Sequence, residues 1–223
     1  MGFEQAVLLA IAAVVAIILH EVSHGYAARV LGDDTAQRAG RLSLNPLRHI
    51  DRVGTILVPG LLLLVHAPFM FGWAKPVPVS AFKFRNPRRG MALVALAGPA
   101  MNFFLAWVAA LLLLLRGVLG AVADQFLFFF ILTNLTLGLF NLLPIPPLDG
   151  GRIAVGILPL DLARRWARLE RVGMLLVVVL LLLPHIVPGV DPLGDALETV
   201  VPWAVRLVLR LAGHDVSESD VHL

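Results

Sequence analysis

The sequence predicts an all-α polytopic membrane protein of five to six transmembrane or re-entrant helical segments, and three observations carry that expectation. Hydrophobic residues fill 59% of the 223 positions and charged residues only 15%. With a mean hydropathy of +0.87, the chain is too apolar for an ordinary soluble domain. The apolar residues gather in runs that approach the roughly 20 residues needed to cross a hydrocarbon core, and the 18 lysines and arginines sit near the ends of those runs. That placement is a topology signal, so the net charge of +3 and a pI near 10.2 do not point to nucleic acid. With no cysteine there are no disulfides or thiolates, and any metal site must use His, Asp or Glu.

Taken in order, the first segment runs from Phe3 to Leu31, ahead of Gly32-Asp33-Asp34. It lacks the basic start of a cleavable signal peptide. A polar stretch over 32–52 alternates polar and apolar residues at Arg41 to Leu44 and reads as a short extended piece ending at Asn45-Pro46. Segment two, Val53 to Phe71, carries Pro59-Gly60 at its middle, which breaks a helix ladder and favours a kinked or re-entrant course. Gly72 to Ser80 is extended by Pro76 and Pro78, and the aromatic and basic residues of Phe82 to Arg89 look like a bilayer interface.

Segment three spans Gly90 to Leu115 and holds Gly98-Pro99-Ala100-Met101-Asn102. Segment four spans Gln125 to Leu143 and runs into Pro144-Ile145-Pro146-Pro147-Leu148-Asp149-Gly150-Gly151. Prolines so closely spaced cannot stay helical, and broken backbone at membrane depth normally lines a cavity. Arg164, Arg165, Arg168 and Arg171 precede segment five, Val172 to Val187. The tail, Asp191 to Leu211, is expected to be an amphipathic helix on the membrane surface in preference to a sixth span, with a frayed Ser217 to Asp220 end. This divides the chain into residues 1–190 as the main domain and 191–223 as the tail.

Chemistry concentrates in His20-Glu21-Val22-Ser23-His24, which follows fourteen uncharged residues, Ala6 to Leu19. On a helix the two imidazoles, four positions apart, project from one face at about 6 Å, the spacing two ligands of one metal ion need. Glu21 lies about 100° round the helix, able to reach a water at the metal without being a ligand. Polar groups at this depth are costly, about 2.5 to 3.5 kcal/mol for a charge, and mark function more often than packing. Two histidines leave a hydrolytic zinc one protein ligand short. The candidates at membrane depth are Asp149, His66, Asn102 and Asn141, of which Asp149 is the acid beside a broken apolar helix. His49, His185, His214 and His222 read as interface or solvent residues.

Three stretches in this order, His20 to His24, Gly98 to Asn102 and Asn141 to Gly151, resemble the signatures of the site-2 protease family of intramembrane zinc metalloproteases, here its compact prokaryotic form without PDZ or CBS domains. The resemblance implies His20, His24 and Asp149 as ligands of one Zn²⁺ per chain and Glu21 as the catalytic acid and base. It assigns Asn141 to the oxyanion or substrate backbone and places Asn102, Asn141 and Pro144 in substrate binding. It also implies that Gly40 to Pro46 and Gly72 to Ser80 form a short β-hairpin region that guides an unwound substrate. The expected function is cleavage of transmembrane segments of membrane proteins within the bilayer. The alternative is a non-catalytic metal-binding protein or transporter.

Basic residues orient the chain. If Val53 to Phe71 is re-entrant, every lysine and arginine other than Arg116, Arg206 and Arg210 shares one side. The positive-inside rule then puts the N-terminus outside and the metal site nearer the cytoplasmic side of the cell membrane.

Overall fold

The structure, a computed structural model, describes residues 2–66, 72–187 and 189–215. Its first helix, α1 (Phe3–Val30), is 28 residues long, about 42 Å at 1.5 Å per residue. Nothing between Ala6 and Leu19 interrupts its ladder. Ala12 and Ala16 are buried in one core with Ala106, Ala109 and Ala110, small side chains that let helix backbones approach closely. A single turn, α2 (Thr35–Arg38), follows.

Among the described residues, the helical part of segment two, Arg52–Leu64, is shorter than a membrane span. A 3₁₀ turn over Pro46–His49 leads to a π-helical turn, Arg52–Leu57, started by Asp51, whose carboxylate accepts from the Val53 and Gly54 amides. The chain continues as α3 (Val58–Leu64), with Pro59 in its first turn, where a missing N–H is no loss. Residues 67–71 of the expected segment lie outside the described residues. The Trp73 N–H donates to the Gly54 carbonyl at 3.1 Å and the Lys75 N–H to the His49 carbonyl at 2.8 Å. The stretches before and after α3 are therefore paired, His49 and Gly54 with Lys75 and Trp73.

The expected β-hairpin is not formed: among the described residues there is no strand. Residues 46–57 coil into helical turns, so Gly72 to Ser80 has no extended partner, and Pro76 and Pro78 remove the donors that a ladder would need. Gly40 to Pro46 is held by side chains instead, with Arg41 donating to the Lys75 carbonyl at 2.7 Å. His49, expected at an interface or in solvent, is buried and bonds through Nε2 to the Ser43 carbonyl at 2.7 Å. His222 and the Ser217 to Asp220 end lie outside the described residues.

The next two helices complete the core. Asn86 caps α4 (Pro87–Leu113), its side chain accepting from the Arg89 amide, which places the start three residues before the expected Gly90. Antiparallel to it runs α5 (Ala121–Asn141). The chain then breaks at the prolines and restarts as α6 (Asp149–Ile157). Next, α7 (Leu160–Arg168) meets α8 (Glu170–Ile186) at a bend of 61°. The tail is helical as expected, α9 (Pro192–Leu211). Its Val201, Ala204, Val205 and Val208 are buried in the same core as α4 and α5, while Val200, Trp203, Leu207 and Leu211 on the same helix are exposed. Three helices, α1, α4 and α5, are long and apolar enough to cross a bilayer, and a fourth span results if the bent α7–α8 pair counts as one. The chain is a multi-pass membrane protein.

Candidate metal centre

The site forms where α1, α4 and the start of α6 converge. Because His20 and His24 are one helical turn apart on α1, their rings meet edge to face with centroids 4.7 Å apart. Asp149 reaches them from the first turn of α6, restarted just past the prolines. His20 Nε2 lies 3.1 Å from Asp149 Oδ2, His24 Nε2 lies 3.3 Å from it, and the two Nε2 atoms are 3.1 Å apart. Gly98 of α4 makes room for this: a Cβ there would fall 2.5 Å from the His24 ring and 2.6 Å from the His20 ring.

The hydrogen bonds behind the rings determine what those facing atoms are. His24 Nδ1 is 2.7 Å from the Val94 carbonyl, which can only accept, so Nδ1 carries the proton and Nε2 a lone pair. For His20 the same result follows through a chain. Asn134 Nδ2 donates to the Phe130 carbonyl at 2.8 Å, which turns Asn134 Oδ1 toward Asn102. Asn102 Nδ2 donates to that oxygen at 2.9 Å, which leaves Asn102 Oδ1 facing His20 Nδ1 at 2.6 Å. The His20 Nδ1 must then be the donor.

Two imidazole lone pairs and a carboxylate oxygen thus face one another in a buried space, and Asp149 Oδ2 has no hydrogen-bond partner among the described residues. Such a set is repulsive unless a cation shares it. Zinc ligands about 2.0 to 2.1 Å from a tetrahedral centre lie roughly 3.3 Å apart, close to the separations found. The donor set therefore fits a zinc ion. The ring N–H groups turned outward to an amide and a carbonyl are the outer partners that metal-bound histidines usually have.

A cleft of about 210 Å³ opens beside these atoms, lined among others by Glu21, Ala74, Pro76, Asn141 and Arg152. Glu21 Oε2 accepts the Val77 N–H at 3.0 Å, which ties the carboxylate to the extended segment 72–80. That segment is pinned at its far end by Asp33, which is buried. Asp33 Oδ2 accepts the Ser80 N–H at 2.6 Å, Oδ1 accepts the Thr35 amide at 3.0 Å and the Thr35 hydroxyl, and Lys83 Nζ lies 3.2 Å away. Burial pushes the Asp33 carboxyl up, but the Ser80 and Thr35 donors and the lysine together hold it down at about 2.

The expected site residues fall into two groups. His20, His24, Asp149, Glu21 and Asn141 meet at the cleft, although Asn141 donates to the Leu137 carbonyl of its own helix at 2.9 Å. Asn102 does not line the cleft; it is fully buried behind His20. Pro144 also lies off the cleft, its carbonyl accepting from the Trp166 indole at 2.9 Å. His66 is exposed at the end of α3 and takes no part. Asn134 and the Val77 amide were not expected. An asparagine amid the apolar run of segment four was the one available sign of the former.

Comparison with known proteins identifies the family. A sequence profile described as peptidase family M50 matches residues 115–184, the part that carries Asn141 and Asp149. A protein of Bacillus subtilis named "Putative zinc metalloprotease YwhC" is 41% identical over 184 residues, covering 79% of this chain and 80% of that one. A protein of Mycolicibacterium smegmatis named "Putative zinc metalloprotease Rip2" is 33% identical over 179 residues, covering 75% of this chain and 64% of its own length. Its namesake in Mycobacterium tuberculosis is 32% identical over 171 residues, with shares of 76% and 64%. No solved structure matches the chain. On the strength of the relative matched over four-fifths of its length, the chain belongs to peptidase family M50, the site-2 family of intramembrane zinc metalloproteases.

Proposed function

We propose that this chain cuts transmembrane segments of membrane proteins, with one zinc ion held by His20, His24 and Asp149 in the domain formed by residues 1–190. The observation that carries the reading is the convergence of three buried lone-pair atoms within 3.3 Å, two of them on a helix long enough to span the bilayer and the third at the start of α6. Zinc supplies a Lewis acid for the scissile carbonyl and brings the pKa of a water from 15.7 to about 7.

The remaining work falls to the chain's own groups. Glu21, beside both histidines, removes the proton of the attacking water. As the C–N bond breaks, it returns that proton to the departing amine. The Val77 N–H holds the carboxylate in the cleft during both transfers. Asn102 and Asn134 keep His20 in the tautomer whose Nε2 is free. Asn141, at the cleft wall, is placed to donate to the substrate backbone or the developing oxyanion once its bond to Leu137 is released. A scissile peptide inside a bilayer starts out helical and must unwind to reach these groups. The extended segment 72–80 offers it a wall, while Asn102 acts from behind His20 and Pro144 from the loop that leads to Asp149. The run of basic residues on one side supports a site nearer the cytoplasm.

The test is metal analysis beside a cleavage assay on a single-span substrate. Asp149→Ala loses both metal and cleavage, whereas Glu21→Gln keeps the metal and loses cleavage. Full activity of Glu21→Gln refutes the assignment of the base. Metal flux into vesicles without cleavage by the wild type points instead to a transporter.

A further inference from the structure

The elbow between α7 and α8 carries Arg164, Arg165, Arg168 and Arg171, all exposed. Among the described residues none of these four guanidiniums has an ion-pair or hydrogen-bond partner. The nearby Glu170 is engaged with Arg152 at 3.7 Å. On the same short helix and at its end, Leu160, Leu162 and Leu169 are 49%, 50% and 38% exposed. Unpaired guanidiniums interleaved with bare leucines suit neither water nor hydrocarbon alone. They suit the layer between, where apolar side chains enter the acyl boundary and arginines meet phosphates. The bend supports this placement. If the apolar α8 enters the bilayer, α7 leaves it at 61° and runs shallowly along the surface.

The elbow is also fastened to the loop that precedes Asp149. The Trp166 indole, on the arginine-bearing helix, donates to the Pro144 carbonyl at 2.9 Å. Two turns on, Gly173 packs so closely on Pro146 that a Cβ would fall 1.5 Å from its carbonyl oxygen. Only Leu148 separates Pro147 from Asp149. Whatever steadies α7 therefore steadies the stretch that delivers Asp149.

We propose that the α7–α8 elbow is a docking surface for the phosphodiester headgroups of anionic phospholipids, and that lipid bound there stabilises the position of Asp149. The second half rests on the assignment of Asp149 as a metal ligand. The occupant is a bilayer lipid rather than a soluble anion because the leucines beside the arginines need hydrocarbon contact that free phosphate does not provide.

The experiment uses the purified full chain with phosphatidylglycerol or phosphatidylcholine. Bound lipid is counted by native mass spectrometry, and zinc retention against a chelator and reporter cleavage are followed in vesicles of each lipid. Phosphatidylglycerol binds preferentially to the wild type, and each Arg→Gln change at Arg164, Arg165, Arg168 or Arg171 weakens it about five-fold, equivalent to about 1 kcal/mol. Phosphatidylglycerol slows zinc loss and raises cleavage about five-fold. In Trp166→Phe the lipid still binds but neither rate responds. Equal lipid binding by the wild type and the fourfold Arg→Gln variant overturns the surface, as does displacement of the lipid by inorganic phosphate. A response that persists in Trp166→Phe overturns the coupling. If no lipid supports cleavage by the wild type while the binding and zinc arms behave as stated, it is the proteolytic reading that has failed and the lipid surface stands.

Discussion

The backbone carbonyl of Phe130 determines which nitrogen of His20 carries a proton, although two asparagine side chains stand between them. A carbonyl has no donor, so Asn134 has one orientation available, and that orientation dictates the next. Three helices, α1, α4 and α5, are joined by this chain of amides, which turns a packing arrangement into a chemical instruction.

Replacing Asn134 with leucine leaves Asn102 Nδ2 without its acceptor and free to rotate. The His20 tautomer is then no longer enforced, and zinc affinity falls about 10-fold, at the lower end of what outer partners contribute. Chelator competition measures it, with the thermal midpoint of the metal-free protein as a control for folding. Unchanged affinity would show that Asn102 holds His20 unaided.

A methyl group at position 98 would collide with both imidazoles, at 2.5 and 2.6 Å. Gly98→Ala therefore displaces the rings by some tenths of an ångström or pushes α4 away. Cleavage drops about 100-fold, the size of effect expected when reacting groups are misplaced. Helical content by circular dichroism stays at the wild-type level. A variant with wild-type turnover would mean that α4 yields without disturbing the rings.

Val77→Pro removes the N–H that engages Glu21 while leaving an already extended backbone extended. On the proposed reading, turnover falls about 10-fold with zinc content unchanged, since the amide contacts Glu21 and not His20, His24 or Asp149. Zinc loss from this variant would show that the segment over 72–80 supports the whole centre rather than Glu21 alone.

Asp33 gives the fold an acid limit. Its carboxyl titrates at about 2 in the folded chain, below its ordinary 3.8. Its contribution to stability is therefore complete above about pH 4 and is lost as pH falls through 2. Asp33→Asn lowers the melting temperature in detergent at pH 7, and the gap from wild type narrows as the sample is acidified below pH 4. A gap independent of pH would assign the effect to packing rather than charge.

Much of the site could be read from the sequence because its grammar is local. The i, i+4 spacing of His20 and His24 places both on one face in any helix, and an acid just after Pro144, Pro146 and Pro147 can only sit at a break. The Asn134 relay was out of reach because an asparagine in an apolar helix announces that it needs a partner without naming it. That choice depends on how α4 and α5 are rotated against each other. The hairpin expectation failed for a different reason. Alternation at Arg41 to Leu44 suggests a strand, but a strand needs a neighbour, and the helical turns over residues 46–57 together with Pro76 and Pro78 remove it. His49 was misjudged in the same way, since its burial comes from the return of Lys75 alongside it.

One helix, α1, both crosses the membrane and carries the two imidazoles and Glu21. From Phe3 to His20 is a rise of about 26 Å, most of a hydrocarbon core of roughly 30 Å. The depth of the reactive atoms is thus graduated by the lipid itself, like a gauge fixed to a float. A thicker or thinner bilayer would change how much of α1 the hydrocarbon covers, and with it the distance of His20, Glu21 and His24 from the membrane edge.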